Sequence, residues 1–185
     1  MKREKALDLL HQYIKNPRTI NHCLASEAVM RQLAVRLGEN PDQWGLAGLL
    51  HDLDVEITHG DMKMHTMETA RILKNESIAP EIIEAIMVHN EHAAHNIKRS
   101  KVMHHALAAG ETITGLITAT AMVYPDKKVF SVRPKSVLKR MKEKAFAAGV
   151  CRETIMECET IGIPLEEFVS LSLDAMQHIC NEIGL

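Results

Sequence analysis

The chain has few aromatic residues, no surplus of positive charge and no long apolar run, and each absence excludes a class of function. Aromatic residues make up 3% of the 185 residues, so a base-stacking platform for single-stranded nucleic acid is not expected. A net charge of -2 argues against a nucleic acid polymer as partner, since such binders usually have a basic surplus. No apolar stretch approaches the length of a membrane span, so we expect no membrane partner.

Cysteine is scarce as well, and the common phosphate-binding loops are missing. The four cysteines include no C-x-x-C pair and no spacing typical of a small disulfide-bonded domain, so we interpret them as reduced thiols. The first residues, Met-Lys-Arg-Glu-Lys, lack the apolar segment that follows the basic start of a signal peptide, which makes cytoplasmic the simplest expectation. There is neither a G-x-x-x-x-G-K-[ST] loop nor a G-x-G-x-x-G fingerprint. A bound nucleotide would therefore depend on a metal and on scattered basic groups.

The pattern that is present predicts an all-α fold. Apolar residues recur at helical spacing in nearly every segment, with Asn, Pro and Gly at the ends. We predict a single domain over residues 1–185, with a motif-bearing core at about 18–126 and a C-terminal helical extension at about 134–185. The predicted helices cover residues 3–14, 19–37, 41–51, 61–74, 80–89, 100–124, 135–148, 151–161 and 165–183, and residues 129–133 are predicted as an extended connector. A helix face containing some of the 11 methionines could serve a homodimer, although a buried core is the simpler interpretation.

Histidine is the outlier of the composition, with 11 residues, most of them between positions 51 and 105. The pair His51-Asp52 directly follows an apolar helical run, His22 lies on the preceding predicted helix, and Glu111 interrupts a mostly apolar later helix. Imidazole and carboxylate ligands from three segments suit a divalent transition metal (Mn, Fe, Co, Ni or Zn) or Mg. Four further histidines are expected on a polar helix face: His92, His95, His104 and His105.

Three stretches carry a family resemblance: His22-Cys-Leu-Ala-Ser-Glu27, Gly48-Leu-Leu-His-Asp-Leu-Asp54 and Ala106-Leu-Ala-Ala-Gly-Glu-Thr-Ile-Thr-Gly-Leu116. Together they resemble the HD-domain superfamily of metal-dependent phosphohydrolases, and within it the small stand-alone hydrolases of the HDIG type. The resemblance implies a compact helical bundle in which His22, His51, Asp52 and Glu111 hold a metal. The last ligand of the family is usually Asp, so the longer Glu111 changes the reach of the carboxylate. Asp126 is an alternative, but it lies outside the matching segment.

The number of metal ions stays open. Branches of the superfamily that hold two ions add histidines after the His-Asp pair, and here His65 and His89 fall in that region. Asp52 could bridge two ions, with both histidines on the second, or the histidines could contact substrate phosphate or line the cleft. Asp54 is a candidate catalytic residue that could orient or deprotonate the attacking water, or fix a histidine, or be a solvated loop acid.

Contacts with the substrate are harder to predict. Arg18 lies just before His22, and Arg133 and Lys135 begin a late helix whose N-terminus favours an anion, although solvated helix faces are the alternative. The combined expectation is hydrolysis of a small phosphorylated metabolite or nucleotide by metal-activated water. Two alternatives remain, a di-iron oxygenase and a non-catalytic module that senses a metal or a nucleotide.

Overall fold

The computed structural model describes residues 1–185 and contains nine α-helices and no β-strand, which confirms the predicted all-α class. The helices are α1 (Arg3–Tyr13), α2 (Pro17–Leu37), α3 (Pro41–Leu50), α4 (Met67–Lys74), α5 (Pro80–His89), α6 (Val102–Met122), α7 (Pro134–Lys142), α8 (Arg152–Ile155) and α9 (Leu165–His178). Two 3-10 segments, Val129–Ser131 and Met156–Ile161, follow α6 and α8. None of the helices combines the length and apolar composition needed to cross a bilayer.

The helix that carries His22 and the helix that leads into His51-Asp52 begin with the same local signal, an Asn followed by a Pro. The Oδ1 atom of Asn16 accepts the N–H of Arg18 at 2.9 Å, and Asn40 accepts the N–H of Asp42 at 2.9 Å. A capping Asn satisfies one of the free N–H groups of the first turn, and Pro at the first helical position sacrifices none. The predicted start of α2 at residue 19 was therefore late.

Four other predicted boundaries were wrong. Residues 61–66 form turns rather than the start of α4, and Thr66 has a left-handed backbone with φ of 83°. Residues 129–131 form a 3-10 turn instead of an extended connector. The helices α7 and α9 stop at Lys142 and His178, short of their predicted ends.

A continuous apolar core of 44 buried residues draws on all nine helices, and α2 packs against α3, α6 and α9 within it. The closest approach of α2 and α3 is at Gly48. A Cβ atom built on Gly48 would lie 2.5 Å from the carbonyl oxygen of Ser26 and 2.8 Å from the nitrogen of Glu27. The crossing therefore requires glycine, and it brings the part of α2 that carries His22 beside the end of α3.

Candidate metal centre

Four imidazoles and two carboxylates gather where α2, α3, α5 and α6 meet. These six residues, called the candidate centre below, are His22 on α2, His51 and Asp52 just after α3, His65 just before α4, His89 at the end of α5 and Glu111 on α6. Ligand atoms of His22, His51 and Asp52 lie within 4.8 Å of one another, and so do those of Asp52, His65 and His89. Asp52 belongs to both groups, as a carboxylate shared by two cations would.

Two of the histidines are oriented by the ends of their own helices. The Nδ1 atom of His51 lies 2.8 Å from the carbonyl oxygen of Gly48, and Nδ1 of His89 lies 2.6 Å from the carbonyl oxygen of Ile86. The last carbonyls of a helix have no N–H partner within the helix, so each ring completes a hydrogen bond that its helix leaves open. A carbonyl only accepts, so Nδ1 carries the hydrogen and Nε2 of the neutral ring presents a lone pair.

The other two histidines are held by side chains. The hydroxyl of Thr114 donates to the carbonyl oxygen of Glu111 at 2.7 Å, so it accepts from Nδ1 of His22 at 2.9 Å. The carboxylate of Asp54 accepts from Nδ1 of His65 at 2.7 Å. All four rings therefore have Nδ1 engaged and Nε2 directed at the centre. Histidines that bind metals are usually fixed in this way.

Asp54 is fully buried behind His65 and does not line the cleft. Its second oxygen accepts the backbone N–H groups of Thr66 at 2.8 Å and of Thr69 at 3.0 Å. Of the roles that the sequence left open for this residue, the geometry matches the one in which it fixes a histidine.

Asp52 lies among the four Nε2 atoms. Its Oδ1 atom is 3.5 Å from Nε2 of His51, 3.3 Å from that of His65 and 3.8 Å from that of His89, and its Oδ2 atom is 3.7 Å from Nε2 of His22. Charge-assisted hydrogen bonds are shorter, about 2.7–2.9 Å. The carboxylate thus faces the rings without being saturated by any of them.

The sixth residue is Glu111 and not Asp126. The Oε2 atom of Glu111 is 3.7 Å from Nε2 of His22, and its side chain lines the cleft. Asp126 lies in an exposed turn after α6, where its carboxylate accepts hydrogen bonds from Ser131 and from the N–H of Lys128. The longer side chain of glutamate therefore still reaches the centre.

Burial and the neighbouring charges act in opposite directions on the groups of the centre. Burial, together with the nearby ring of His51, lowers the pKa of His22 to about 4. The same two causes hold the pKa of His89 well below its usual range. Burial opposes ionisation of Asp52, but the surrounding imidazoles, above all His51, hold the pKa of this carboxyl well below its usual range. The centre therefore presents an anionic carboxylate beside the neutral rings of His22 and His89, the protonation states that ligate metals.

Two groups of the centre, His65 and Glu111, would lose their protons when a cation binds. Burial disfavours the charged form of His65, but the nearby charge of Asp52 and the hydrogen bond with Asp54 outweigh burial and raise its pKa to about 9. Burial raises the pKa of Glu111 to about 8. Without a nearby cation, both groups are largely protonated at neutral pH.

The arrangement fits a bound cation better than a purely structural role. The Nε2 atoms of His22 and His51 are 3.1 Å apart, and the partners of both Nδ1 atoms assign the hydrogens to Nδ1. Two lone pairs at this distance repel unless a proton or a cation lies beside them. The pKa of His22, lowered by burial to about 4, disfavours protonation of that ring. The donor set of nitrogen and carboxylate oxygen suits Mn, Fe, Co, Ni, Zn or Mg.

The centre opens into a cleft of about 630 Å³, called the metal cleft below. Of the basic residues predicted to contact substrate, Arg133 and Lys135 line neither this cleft nor the cavity beside it, because they are exposed at the start of α7. The structure therefore does not bring these two predicted residues to the candidate centre. Arg18 lines the adjacent cavity.

Sequence reasoning missed Arg99, the basic residue that does line the metal cleft. Its guanidinium forms two hydrogen bonds with Glu157, at 2.9 and 2.6 Å, and donates to the carbonyl oxygens of Val88 and His89 at 3.0 and 3.1 Å. The residue thereby ties the end of α5 to the segment after α8. A single Arg in a loop gives no local signal for such a long-range contact.

The four histidines expected on a polar helix face have different environments. His92 is exposed at the metal cleft, and His95 lies near the end of α5, with Nε2 2.8 Å from the carbonyl oxygen of Met87. His104 is buried, with 1% of its surface exposed, so its predicted surface position was wrong. His105 is half-buried and its Nδ1 lies 2.6 Å from a carboxylate oxygen of Glu157.

The fold and this site define an all-α protein with a histidine and carboxylate centre of the kind that holds divalent metals. The model of the family described as HD domain matches residues 19–121, more than half of the chain, so the chain belongs to the HD-domain family. The matched region begins just before His22 and ends after Glu111, so it includes the whole candidate centre. No curated protein and no solved structure matches the chain significantly.

Proposed function

We propose that this protein is a metal-dependent phosphohydrolase that acts on a small phosphorylated metabolite or nucleotide. The observation that carries the proposal is the convergence of four Nε2 atoms on Asp52, with every Nδ1 atom engaged. A merely structural cluster of buried histidines would pair these atoms at ordinary hydrogen-bond lengths, since buried polar atoms are normally paired, whereas the four Nε2 atoms lie 3.3 to 3.8 Å from the oxygens of Asp52.

In this proposal, His22, His51, Asp52 and Glu111 would hold one ion, and Asp52 with His65 and His89 would hold a second. When bound, such ions lower the pKa of a coordinated water and polarise a phosphoryl oxygen. The water oxygen forms a bond to phosphorus, and the bond from phosphorus to the ester oxygen breaks. The departing alcohol takes up a proton equivalent to the one that the water loses, so the products are the alcohol and inorganic phosphate.

The test combines metal analysis of the gently purified protein with phosphate release from nucleotides and sugar phosphates in the presence of Mn, Co, Ni, Zn or Mg. We expect bound metal and metal-dependent phosphate release. Asp52→Asn should lower both the metal content and the rate, the latter about 1000-fold, because the shared ligand loses its charge. His178→Asn, on the exposed end of α9, is the matched control and should behave as wild type.

A second candidate function is favoured by the same Asp-centred set of four histidines. Two irons bridged by a carboxylate are a common arrangement for oxygen chemistry, so a di-iron oxygenase uses the same ligand types. Two firmly bound irons, oxygen-dependent turnover and no phosphate release would replace the phosphohydrolase proposal. Stable metal binding with neither activity would instead favour a sensing module.

A further inference from the structure

Two cavities meet at the candidate centre. Beside the metal cleft lies a second cavity of about 630 Å³, called the side cavity below, between α2, the second half of α6 and residues 183–185. His22 and Gly115 line both cavities. A Cβ atom built on Gly115 would lie 3.3 Å from Val150, so any larger residue would narrow this junction. A ligand held at the centre could therefore extend into the side cavity.

The lining of the metal cleft is strongly acidic. It includes the carboxylates of Asp52, Glu91, Glu111, Glu153 and Glu157. Its one guanidinium, that of Arg99, is already paired with Glu157 at 2.6 Å and with Glu91 at 3.3 Å, and no lysine lines the cleft. One phosphate group can be neutralised by cations at the centre, but a second or third would find no unpaired basic side chain in this cleft.

The side cavity has the opposite character, because no Asp or Glu side chain lines it. One part of its wall is apolar and consists of Ala25, Ala119, Met122, Ile183 and Leu185. The rest carries polar side chains, three of which keep hydrogen-bonding groups free for a ligand. The guanidinium of Arg18 forms no ion pair, and Asn21 uses only its Nδ2 atom, which donates to the carbonyl oxygen of Ile183 at 2.7 Å. The hydroxyl of Thr118 makes no hydrogen bond to its own helix, unlike that of Thr120.

From these two linings we infer that the substrate is a phosphomonoester with one phosphate group, whose organic part occupies the side cavity. The phosphate lies at the candidate centre, and the organic part packs on Ala119 and Met122 while its hydrogen-bond acceptors face Arg18 and Thr118. A cavity of this size, apolar with a few convergent polar groups, is typical of small-molecule sites. The inference rests on the proposed function and adds the substrate class.

Methionine methyl groups provide a readout that does not depend on turnover. Met62 lines the metal cleft, Met122 lines the side cavity, and Met64 is exposed and lines neither. In magnesium- or zinc-loaded protein with ¹³C-labelled methionine methyl groups, inorganic phosphate should shift Met62 alone. Adenosine 5′-monophosphate and phenyl phosphate should shift both Met62 and Met122 and leave Met64 unchanged.

A variant that fills the side cavity, compared with a control variant of the same size, tests whether the organic part binds there. Ala119→Leu adds bulk to the cavity wall, whereas Ala145→Leu adds the same bulk at an exposed position that lines neither cavity. We expect Ala119→Leu to abolish the shift of Met122 and to raise KM for the larger ester about tenfold, with a smaller rise in KM for glycerol phosphate. Thr118→Val should weaken binding of adenosine 5′-monophosphate, and adenosine di- and triphosphate should bind more weakly than the monophosphate.

The outcomes separate this inference from the proposed function. Phosphate release without any shift of Met122, or tightest binding of the triphosphate, would overturn the inference and leave the hydrolase proposal standing. An equal effect of Ala119→Leu on large and small esters would also overturn it. Shifts of Met122 without phosphate release from any ester would support the side cavity as a ligand site and overturn the hydrolase.

Discussion

At the scale of single residues, the centre depends on the acceptors that fix each imidazole. Two are helix-end carbonyls, one is the hydroxyl of Thr114 and one is the carboxylate of Asp54. Asp54 has a second task, because α4 has no capping side chain at its own N-terminus and two of its first N–H groups bond to Asp54 instead. One buried carboxylate thus orients His65 and begins the next helix.

Replacing Asp54 should therefore affect the His65 side of the centre most. In Asp54→Asn the side chain keeps its shape but loses its charge and one acceptor, so His65 is held less firmly. We expect affinity for the second ion to fall about 10- to 100-fold, with the first ion retained. Metal titration followed by elemental analysis measures this. Asp61→Asn, which removes an exposed loop carboxylate from the N–H of Lys63, should leave both affinities unchanged.

The opposite result is informative. If Asp54→Asn bound both ions with wild-type affinity and lost only its turnover, the residue would act on the attacking water, as the other sequence-based alternative predicted. The full burial of Asp54 and its three hydrogen bonds argue against that outcome.

At the scale of elements, the crossing of α2 and α3 sets the distance between His22 and His51. Gly48 touches the backbone of α2 at this crossing, and its carbonyl oxygen also accepts from His51. The same residue therefore controls the spacing of the helices and the orientation of one ring. Backbone atoms cannot move aside as a flexible side chain would, so even one methyl group must displace a helix.

Gly48→Ala tests this dependence. In an exposed helix the change would be stabilising, because Ala is the better helix former. Here the added Cβ atom forces α2 away from α3, and we expect a loss of about 1–3 kcal/mol in the free energy of unfolding together with weaker metal binding. Urea unfolding of the metal-free variant and metal titration provide the two readouts. Gly149→Ala, where a Cβ atom meets nothing within 4 Å, is the control for the free energy of unfolding; an equal loss of stability in both variants would contradict the role of the crossing.

The elements also show which features a sequence can predict. Apolar spacing and local Asn, Pro and Gly signals suffice for most helices, and the ordered motif from His22 to Glu111 identifies residues that do meet. The segment before α4 was predicted wrongly because Asp54, twelve residues earlier than Thr66, supplies the N-terminal hydrogen bonds. The spacing of apolar residues along the chain does not predict such a contact.

Whether a basic side chain faces the centre also depends on contacts between distant parts of the chain. Arg133 and Lys135 had suitable chemistry for a phosphate, but only tertiary packing decides whether the start of α7 faces the centre. Arg99 lines the metal cleft because Glu157, 58 residues further along the chain, holds it there. Contacts of this range could not be inferred from the spacing of residues along one helix.

At the scale of the whole molecule, the candidate centre joins distant parts of the chain. Its six residues come from α2, α5, α6 and the segment between α3 and α4, and residues 149–157 close one side of the metal cleft. A cation bound there would connect elements that otherwise meet through apolar contacts and a few hydrogen bonds. Removal of the cation should consequently lower the stability of the whole fold in the global unfolding transition, and not only that of one helix.

Metal removal should therefore lower the melting temperature, and the effect should depend on pH. Metal at about 100 times its Kd adds about 2.7 kcal/mol, or roughly 5–10 °C for a chain of this size. Binding displaces protons from Glu111, with a pKa of about 8, and from His65, with a pKa of about 9, both in the metal-free protein. Protons compete less with the metal as pH rises, so at a fixed free metal concentration the metal-induced increase in melting temperature should grow from pH 6 to pH 8.5.

Calorimetry with and without chelator measures this increase in melting temperature. Asp52→Asn is the control, and its melting temperature should depend little on metal at any pH. A metal-induced shift that is constant or shrinks over this range would mean that neither Glu111 nor His65 gives up a proton to the bound ion.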